Sequence, residues 1–426
     1  MLDATLEIAL TAFVVLMLIA QLIAIRFKIP YTLVLVFIGI GVTAISTTAL
    51  GTGYISGMLL APIGSIRSIY SQLVASGLFV GLVVPPLIFE AMIHIKRREL
   101  RAVIRPSLAL ATFGVVLSTI VASIVVWKLA GLSPFSALLF AAIIAPTDTI
   151  TVLQIFKHIK VPSKLSTLMD TEAAFNDATA IVMFTIILSS IGLAHVSILN
   201  GIEVFMYSLI GGIVTGIVVA RIAKVIHAKI NDKLTEITLT IAAVYGSYVL
   251  ANGLGASGLI AVAIVGLYFG NETMKSSLSK SVKNAIVSFW EIAAFLGSAV
   301  AFLLIGFAAS FGLFFQAAGL ILIAYASTII ARAAAVYPTF ALFSHPGERL
   351  TTRWGNIAVM GGVRGALSIA LLATLASSGA VSSSDLSTIT TMVIGVVFVS
   401  IIVQVPLLSG YAARLFGRNR PSQNLQ

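Results

Sequence analysis

The chain has 426 residues, 59% of them apolar and 10% charged, with a mean hydropathy of +1.10. Soluble domains carry about 25% charged residues, so a water-soluble protein is excluded. The net charge of +11 is therefore first a question of membrane topology, and the absence of cysteine excludes disulfides and thiolate metal sites.

A bilayer crossing needs about 20 predominantly apolar residues. Stretches of that kind fall at 6–25, 31–50, 71–94, 107–127, 135–156, 168–191, 201–222, 236–252, 256–270, 284–306, 313–342, 355–377 and 388–413. The chain thus reads as an all-α polytopic membrane protein of about 13 transmembrane helices, with no room for a large extramembrane domain. Its first residues, MLDATLE, carry no basic segment, and the first stretch reads as a mature span rather than a signal peptide. Spans eight and nine are short and meet at the glycine-rich turn Gly253–Gly258, which makes them the pair most easily merged into one.

Basic residues test the count. All but four of the 26 Lys and Arg residues fall in the odd-numbered connections and the C-terminal tail. Arg67 and Lys128 fall on the opposite side, and Arg332 and Arg364 lie inside spans. Cytoplasmic loops collect Lys and Arg, so the N-terminus is expected outside and the C-terminus in the cytoplasm.

Ionisable groups at bilayer depth are costly and mark function by default, each costing about 2.5–3.5 kcal/mol on insertion scales. Six stand inside the expected spans: Glu90, Asp148, Glu172, Asp177, Arg332 and Arg364. Mutual pairing alone does not account for them, because two arginines cannot neutralise four acids. Asp148 in span five and Asp177 in span six come from antiparallel neighbours. Each lies about 8 or 9 residues, roughly 12–13 Å, from the inner face. Glu90 and Glu172 lie nearer the cytoplasmic side. On span six Glu172 and Asn176 share a helical face, while Asp177 is turned about 100° from Asn176.

Backbone breakers accompany these charges. Span five contains Ala145-Pro146-Thr147-Asp148, and span twelve contains Gly361-Gly362-Val363-Arg364-Gly365. Interrupted helices at membrane depth line cavities or are buried in protein, and in corresponding places they point to a transporter site. Two inverted repeats would place them so: one transmembrane domain over 1–426, with repeats at about 6–191 and 236–413, a linking span at 201–222 and a short cytoplasmic tail at 414–426. Pro85-Pro86 and Pro406 read as plain kinks.

Other motifs lead nowhere. Gly253-Leu254-Gly255-Ala256-Ser257-Gly258 matches G-x-G-x-x-G but follows no strand, so no nucleotide is expected there. No Walker-type loop occurs, which argues against a pump driven by ATP alone. His94, His158, His195, His227 and His345 lie scattered at span ends without metal-ligand spacing, as interfacial or loop residues. Lys96-Arg97-Arg98 reads as topology and lipid contact.

Pro146-Thr147-Asp148 followed by Glu172-Ala173-Ala174-Phe175-Asn176-Asp177 resembles the sodium/proton exchangers of the NhaP/NHE group of cation:proton antiporters. Val84–Glu90, Ser257–Val262 with Gly266–Gly270, Ser288–Glu291, Ile330–Ala333 and Gly361–Ser368 extend the resemblance in order along residues 80 to 370. It implies an NhaA-like fold, a homodimer and elevator-like movement of a core bundle. It further implies that Asp177 carries the transported ion or proton, with Asp148 and the Thr147 backbone nearby. Asn176 stands where electrogenic relatives have a second aspartate, which implies electroneutral 1:1 exchange. The resemblance makes Glu172 and Arg332 a buried structural pair, gives Arg364 the bracing of the broken twelfth span, and puts Glu90 on the inner ion pathway. The sequence departs from the family at Ala173, often serine and a possible ion ligand, and at Thr149 and Ala178, where proline is common.

The expectation is therefore a secondary antiporter in the plasma membrane, needing no cofactor and no nucleic acid partner. Na⁺ (or Li⁺) and H⁺ compete for Asp148 and Asp177, and the broken helices complete the oxygen shell. K⁺/H⁺ exchange is the nearest alternative. A passive cation channel suits a proton-exchangeable buried pair less well, and an organic-anion transporter on a similar fold is a third.

Overall fold

A computed structural model describes residues 2–47 (28 and 30 aside), 78–148, 152, 155–156, 159, 161–190, 198–276 (231 aside), 279–308, 316–344 and 350–416. Outside the described residues lie 48–50 and 71–77 of the expected second and third spans. Lys28, Arg67, Thr149, Lys157, His158, Lys160, His195, His345, Arg349, Arg418 and Arg420 also lie outside them.

Fourteen helices and no strand occur among the described residues. They are α1 (Leu2–Phe27), α2 (Tyr31–Thr47), α3 (Leu78–Ile93), α4 (Arg97–Ala130), α5 (Pro134–Ile143), α6 (Ser163–Ser189) and α7 (Ile198–His227). The second half comprises α8 (Lys233–Gly253), α9 (Gly258–Thr273), α10 (Lys280–Ala308), α11 (Ala318–Leu342), α12 (Thr352–Met360), α13 (Ala366–Ser378) and α14 (Ser383–Phe416). Seven of them, α4, α6, α7, α8, α10, α11 and α14, are long and apolar enough to cross a bilayer. The protein is an integral membrane protein.

Local chemistry sets the ends. Ser133 caps α5, its hydroxyl accepting the Ser136 N–H, with Pro134 at the first helical position. Asp232, Ser257, Thr351 and Ser382 do the same for α8, α9, α12 and α14. Gly131 and Gly379 end α4 and α13 in the left-handed region, at φ of 74° and 64°. Spans eight and nine are two helices, α8 and α9, separated by a turn in which Gly255 has φ 73°. The G-x-G-x-x-G match is that turn.

One element differs from the hydropathy reading. Span four was expected from residue 107, but α4 begins at Arg97. Its charged first turns mask the start, and Arg97 ties α4 to α9: it pairs with Glu272 at 3.2 Å, and its N–H donates to Asn271 Oδ1 at 2.8 Å. Span twelve, expected to be interrupted, is two helices, α12 and α13, with Gly361–Gly365 non-helical between them. Widened π turns interrupt α4 at Leu110–Gly114 and α14 at Ser400–Gln404, whereas α3 runs helical through Pro85 and Pro86.

The helices form two packed groups. In one, α4 packs on α5, α6 and α11, and α11 packs on α12 and α14. In the other, α9 packs on α3, α7 and α8, and α10 packs on α2, α3 and α8. Trp290 anchors the second group. It is fully buried against Phe89 and Phe289, and its indole N–H donates to Thr240 Oγ1 at 3.0 Å. The α7–α9 contact is close: a Cβ at Gly212 or Gly216 would lie 2.6 Å from the carbonyl of Ser257 or Ala261 and no more than 3.0 Å from the Cβ of Ile260 or Ile264.

Candidate functional site

Asp148, Thr147 and the Ala145 and Pro146 carbonyls lie where α5 has stopped, in the non-helical stretch that follows Ile144. Pro146 has no N–H to give a helix. The Gly361–Gly365 break meets this stretch. The Asp148 N–H donates to the Val363 carbonyl at 2.7 Å. The approach is so close that a Cβ at Gly365 would lie 2.6 Å from Asp148 Cβ, so only glycine fits.

Arg364 braces the crossing from the break itself. Its buried guanidinium donates to the carbonyls of Ala145 at 2.7 Å and Pro146 at 3.1 Å. These carbonyls have lost their helical donors, and the cation supplies replacements. Arg364 contacts backbone here rather than a carboxylate.

The third wall is α6. Glu172 and Asn176 are both buried on one face of it, while Asp177 is turned away and partly accessible. Glu172 is 1% exposed and forms a two-pronged pair with Arg332, 5% exposed, from α11. Arg332 Nε also donates to the Ala358 carbonyl near the end of α12, at 3.2 Å. Breaking one partner of such a pair leaves a buried charge uncompensated. Asn176 Nδ2 donates to Thr147 Oγ1 at 2.7 Å and so ties α6 to the α5 break. Its Oδ1 is buried without a partner. Asp177 lies within electrostatic reach of Asp148 and Glu172, and among the described residues no lysine or arginine pairs with it.

The structure therefore gathers Thr147, Asp148, Asn176, Asp177, Glu172, Arg332 and Arg364 into one region built from α5, α6, α11 and the α12–α13 break. Glu90 stands apart near the end of α3. His94, one turn on, lies 2.8 Å through Nδ1 from the Glu90 carbonyl and 3.8 Å from its carboxylate. Glu291 from α10 completes a group whose ligand-capable atoms lie within 4.8 Å of one another.

Sequence reasoning missed one buried pair. His227, read as interfacial or loop, is fully buried at the end of α7, and its Nδ1 hydrogen-bonds with the equally buried Glu236 carboxylate of α8. The Phe269 ring packs edge-on at 5.1 Å. Histidine and glutamate nine residues apart at two helix ends carry no periodic signal. The capping Asp232 between them, which folds the chain back, is the one clue available.

The oxygen set at the crossing has the character of a site for a small hard cation. Thr147, Asn176, Asp148 and Asp177 bring hydroxyl, amide and carboxylate oxygens to this region, with no thiolate or imidazole among them.

Comparison with known proteins agrees with this geometry. The family described as sodium/hydrogen exchanger, transmembrane, matches residues 10–413. The chain is 31% identical over 318 residues to the Na(+)/H(+) antiporter NhaS2 of Synechocystis sp., covering 75% of this chain and 58% of that protein. It is 31% identical over 380 residues to the Na(+)/H(+) antiporter ApNhaP of Aphanothece halophytica, covering 88% of this chain and 68% of that one. The chain thus spans a little over half the length of the first relative. Among solved structures, the sodium proton antiporter MjNhaP1 from Methanocaldococcus jannaschii superposes with a TM-score of 0.75 at 21% identity, over 97% of this chain and 100% of that one. That likeness establishes a shared fold. On the family match and these relatives, the chain belongs to the sodium/hydrogen exchanger family.

Proposed function

We propose that the protein is a secondary active antiporter that exchanges Na⁺ (or Li⁺) for H⁺ across the plasma membrane. The observation that carries this reading is the crossing itself. Two non-helical segments meet beside Asp148 and Asp177, where the orphaned Asn176 Oδ1 and the Thr147 hydroxyl add oxygen ligands. The names of the relatives support the same chemistry.

In this mechanism Asp177 holds either a proton or the cation, and Asp148 shares the cation. Asn176 stands where electrogenic relatives have a second aspartate, and on that resemblance the cycle is electroneutral, one cation for one proton. Glu172 with Arg332, and Arg364 with its carbonyls, hold the walls fixed while the cargo changes. Glu90 gathers cations at the inner mouth. Thirteen spans in two inverted repeats, 6–191 and 236–413 around 201–222, alternate access to the crossing by movement of the core bundle. The chain works as a homodimer with its N-terminus outside and its C-terminus in the cytoplasm.

Vesicles reconstituted with the purified chain test this. A Na⁺ gradient is expected to drive proton flux, and Asp177→Asn to reduce that flux to the protein-free leak. Undiminished exchange in this variant would sink the assignment. Flux driven by K⁺ and not by Na⁺ would move the reading to K⁺/H⁺ exchange, and cation conductance without proton coupling would favour a channel.

A further inference from the structure

The α12–α13 break is held from a third direction, by α14. That helix is itself deformed where it passes the break: Ser400–Gln404 forms the π turn described above, a widening that recurs at functional sites. Two polar side chains of this turn are buried, Ser400 at 1% and Gln404 at 3% exposure. Gln404 Nε2 donates to the Met360 carbonyl at 2.7 Å and lies 3.4 Å from that of Val359, while its Oε1 accepts from the Tyr325 hydroxyl at 3.3 Å. Ser400 Oγ accepts the Arg364 N–H at 3.2 Å and donates to the Val397 carbonyl at 2.8 Å.

These bonds fall at the two ends of the break. A helix leaves its last carbonyls without donors, and α12 ends in the protein interior, where an unmade hydrogen bond is expensive. Gln404 supplies the donor on the α12 side. Ser400 takes an amide on the α13 side. Between them the Val363 carbonyl is left to receive the Asp148 N–H. The break is thus pinned at each end by α14, and its middle sets where Asp148 stands.

We propose that Gln404 and Ser400 are positioning residues for cation binding, acting through the backbone of 359–365 on the place of Asp148. The proposal rests on the antiport reading. It gives a polar pair in the last helix a role that hydropathy does not reveal: by engaging the Val359 and Met360 carbonyls at the end of α12, Gln404 fixes where the break begins.

The test compares wild type with Gln404→Met, Gln404→Glu, Ser400→Ala and Ser400→Thr, as full chains in vesicles under a Na⁺ gradient. Gln404→Met keeps the volume but loses the donor, and Ser400→Ala loses the acceptor. Each is expected to raise the apparent KM for Na⁺ by roughly fivefold, the worth of one hydrogen bond, with the maximal rate kept within about twofold of wild type. Ser400→Thr retains the hydroxyl and restores the wild-type KM. The glutamate of Gln404→Glu donates only when protonated, so its KM returns toward wild type in acid and rises with pH beyond the wild-type trend. A packing role would not produce that pH dependence. Amide hydrogen exchange on the same samples is expected to quicken at 359–366 in Gln404→Met and Ser400→Ala, with α6 unchanged. Wild-type KM values in both variants would overturn the proposal, as would equal losses of rate in Ser400→Ala and Ser400→Thr. If wild type shows no cation-coupled flux, the antiport reading falls. The exchange measurement then decides the anchoring by itself, and unchanged protection at 359–366 rejects it.

Discussion

The backbone N–H of Asp148 donates to the carbonyl of Val363 at 2.7 Å, joining two chain breaks that are more than 200 residues apart in sequence. An aspartate in a regular helix gives its amide to its own helix. Here the amide is committed to the opposite break, so the position of the carboxylate depends on both.

The glycine beside this bond leaves no room for a side chain. Gly365→Ala places a methyl 2.6 Å from Asp148 Cβ, and overpacking of that kind costs about 1–3 kcal/mol. Cation-driven flux is expected to fall at least tenfold while the protein remains folded by circular dichroism. Wild-type flux would show that the two breaks separate more freely than the contact implies.

In the electroneutral cycle proposed above, Asn176 would set the charge carried per cycle. In Asn176→Asp a second carboxylate replaces the amide that bonds Thr147. Exchange is then expected to respond to a membrane potential imposed with K⁺ and valinomycin, whereas wild-type exchange does not. A potential-sensitive wild type would contradict the electroneutral cycle.

The Glu172–Arg332 pair is buried, and its removal is expected to be asymmetric. Glu172→Gln alone leaves Arg332 buried without its counter-charge and is expected to destabilise by about 3–5 kcal/mol, read as a fall in the thermal unfolding temperature in detergent. Glu172→Gln with Arg332→Met removes both charges and recovers a large part of that loss. If the double variant is no more stable than the single one, the charge argument fails.

Asp232 gives a pH prediction outside the membrane. Hydrogen bonds from the Thr235 N–H and hydroxyl hold its carboxyl below the usual carboxylate range. A depressed folded value means that the capping contribution is complete above the ordinary aspartate value and is lost as pH falls through the folded one. Amide exchange at Thr235, corrected for its intrinsic pH dependence, is expected to lose protection only in that acidic window. Asp232→Asn, which caps without titrating, shows no such step.

Asp148 and Asp177 were legible because depth can be counted along two antiparallel spans, and charges at bilayer depth stand out against lipid-like neighbours. The face shared by Glu172 and Asn176 followed from helical phase alone. The start of α4 was not legible, because Arg97, Arg98, Arg101 and Arg105 read as loop when the helix in fact runs through them to the surface. The His227–Glu236 pair was hidden for a different reason: its two members meet only because the chain reverses between α7 and α8. Nor does any local pattern announce that Gly365 touches Asp148, since a glycine's closest neighbour is a property of the fold.

The α7–α9 crossing bears on movement. Gly212 and Gly216 bring α7 against the Ser257 and Ala261 carbonyls, with the Ile260 and Ile264 side chains packed alongside through Cβ and Cγ2. A contact cushioned by leucines can slide, because its rotamers adjust by degrees. One made of carbonyls and stiff β-branched side chains held against glycine has little to adjust, so it tolerates less sliding. Under the antiport reading proposed above, α7 and α9 would move as one piece, and the sliding a transport cycle needs would fall at contacts cushioned by longer side chains.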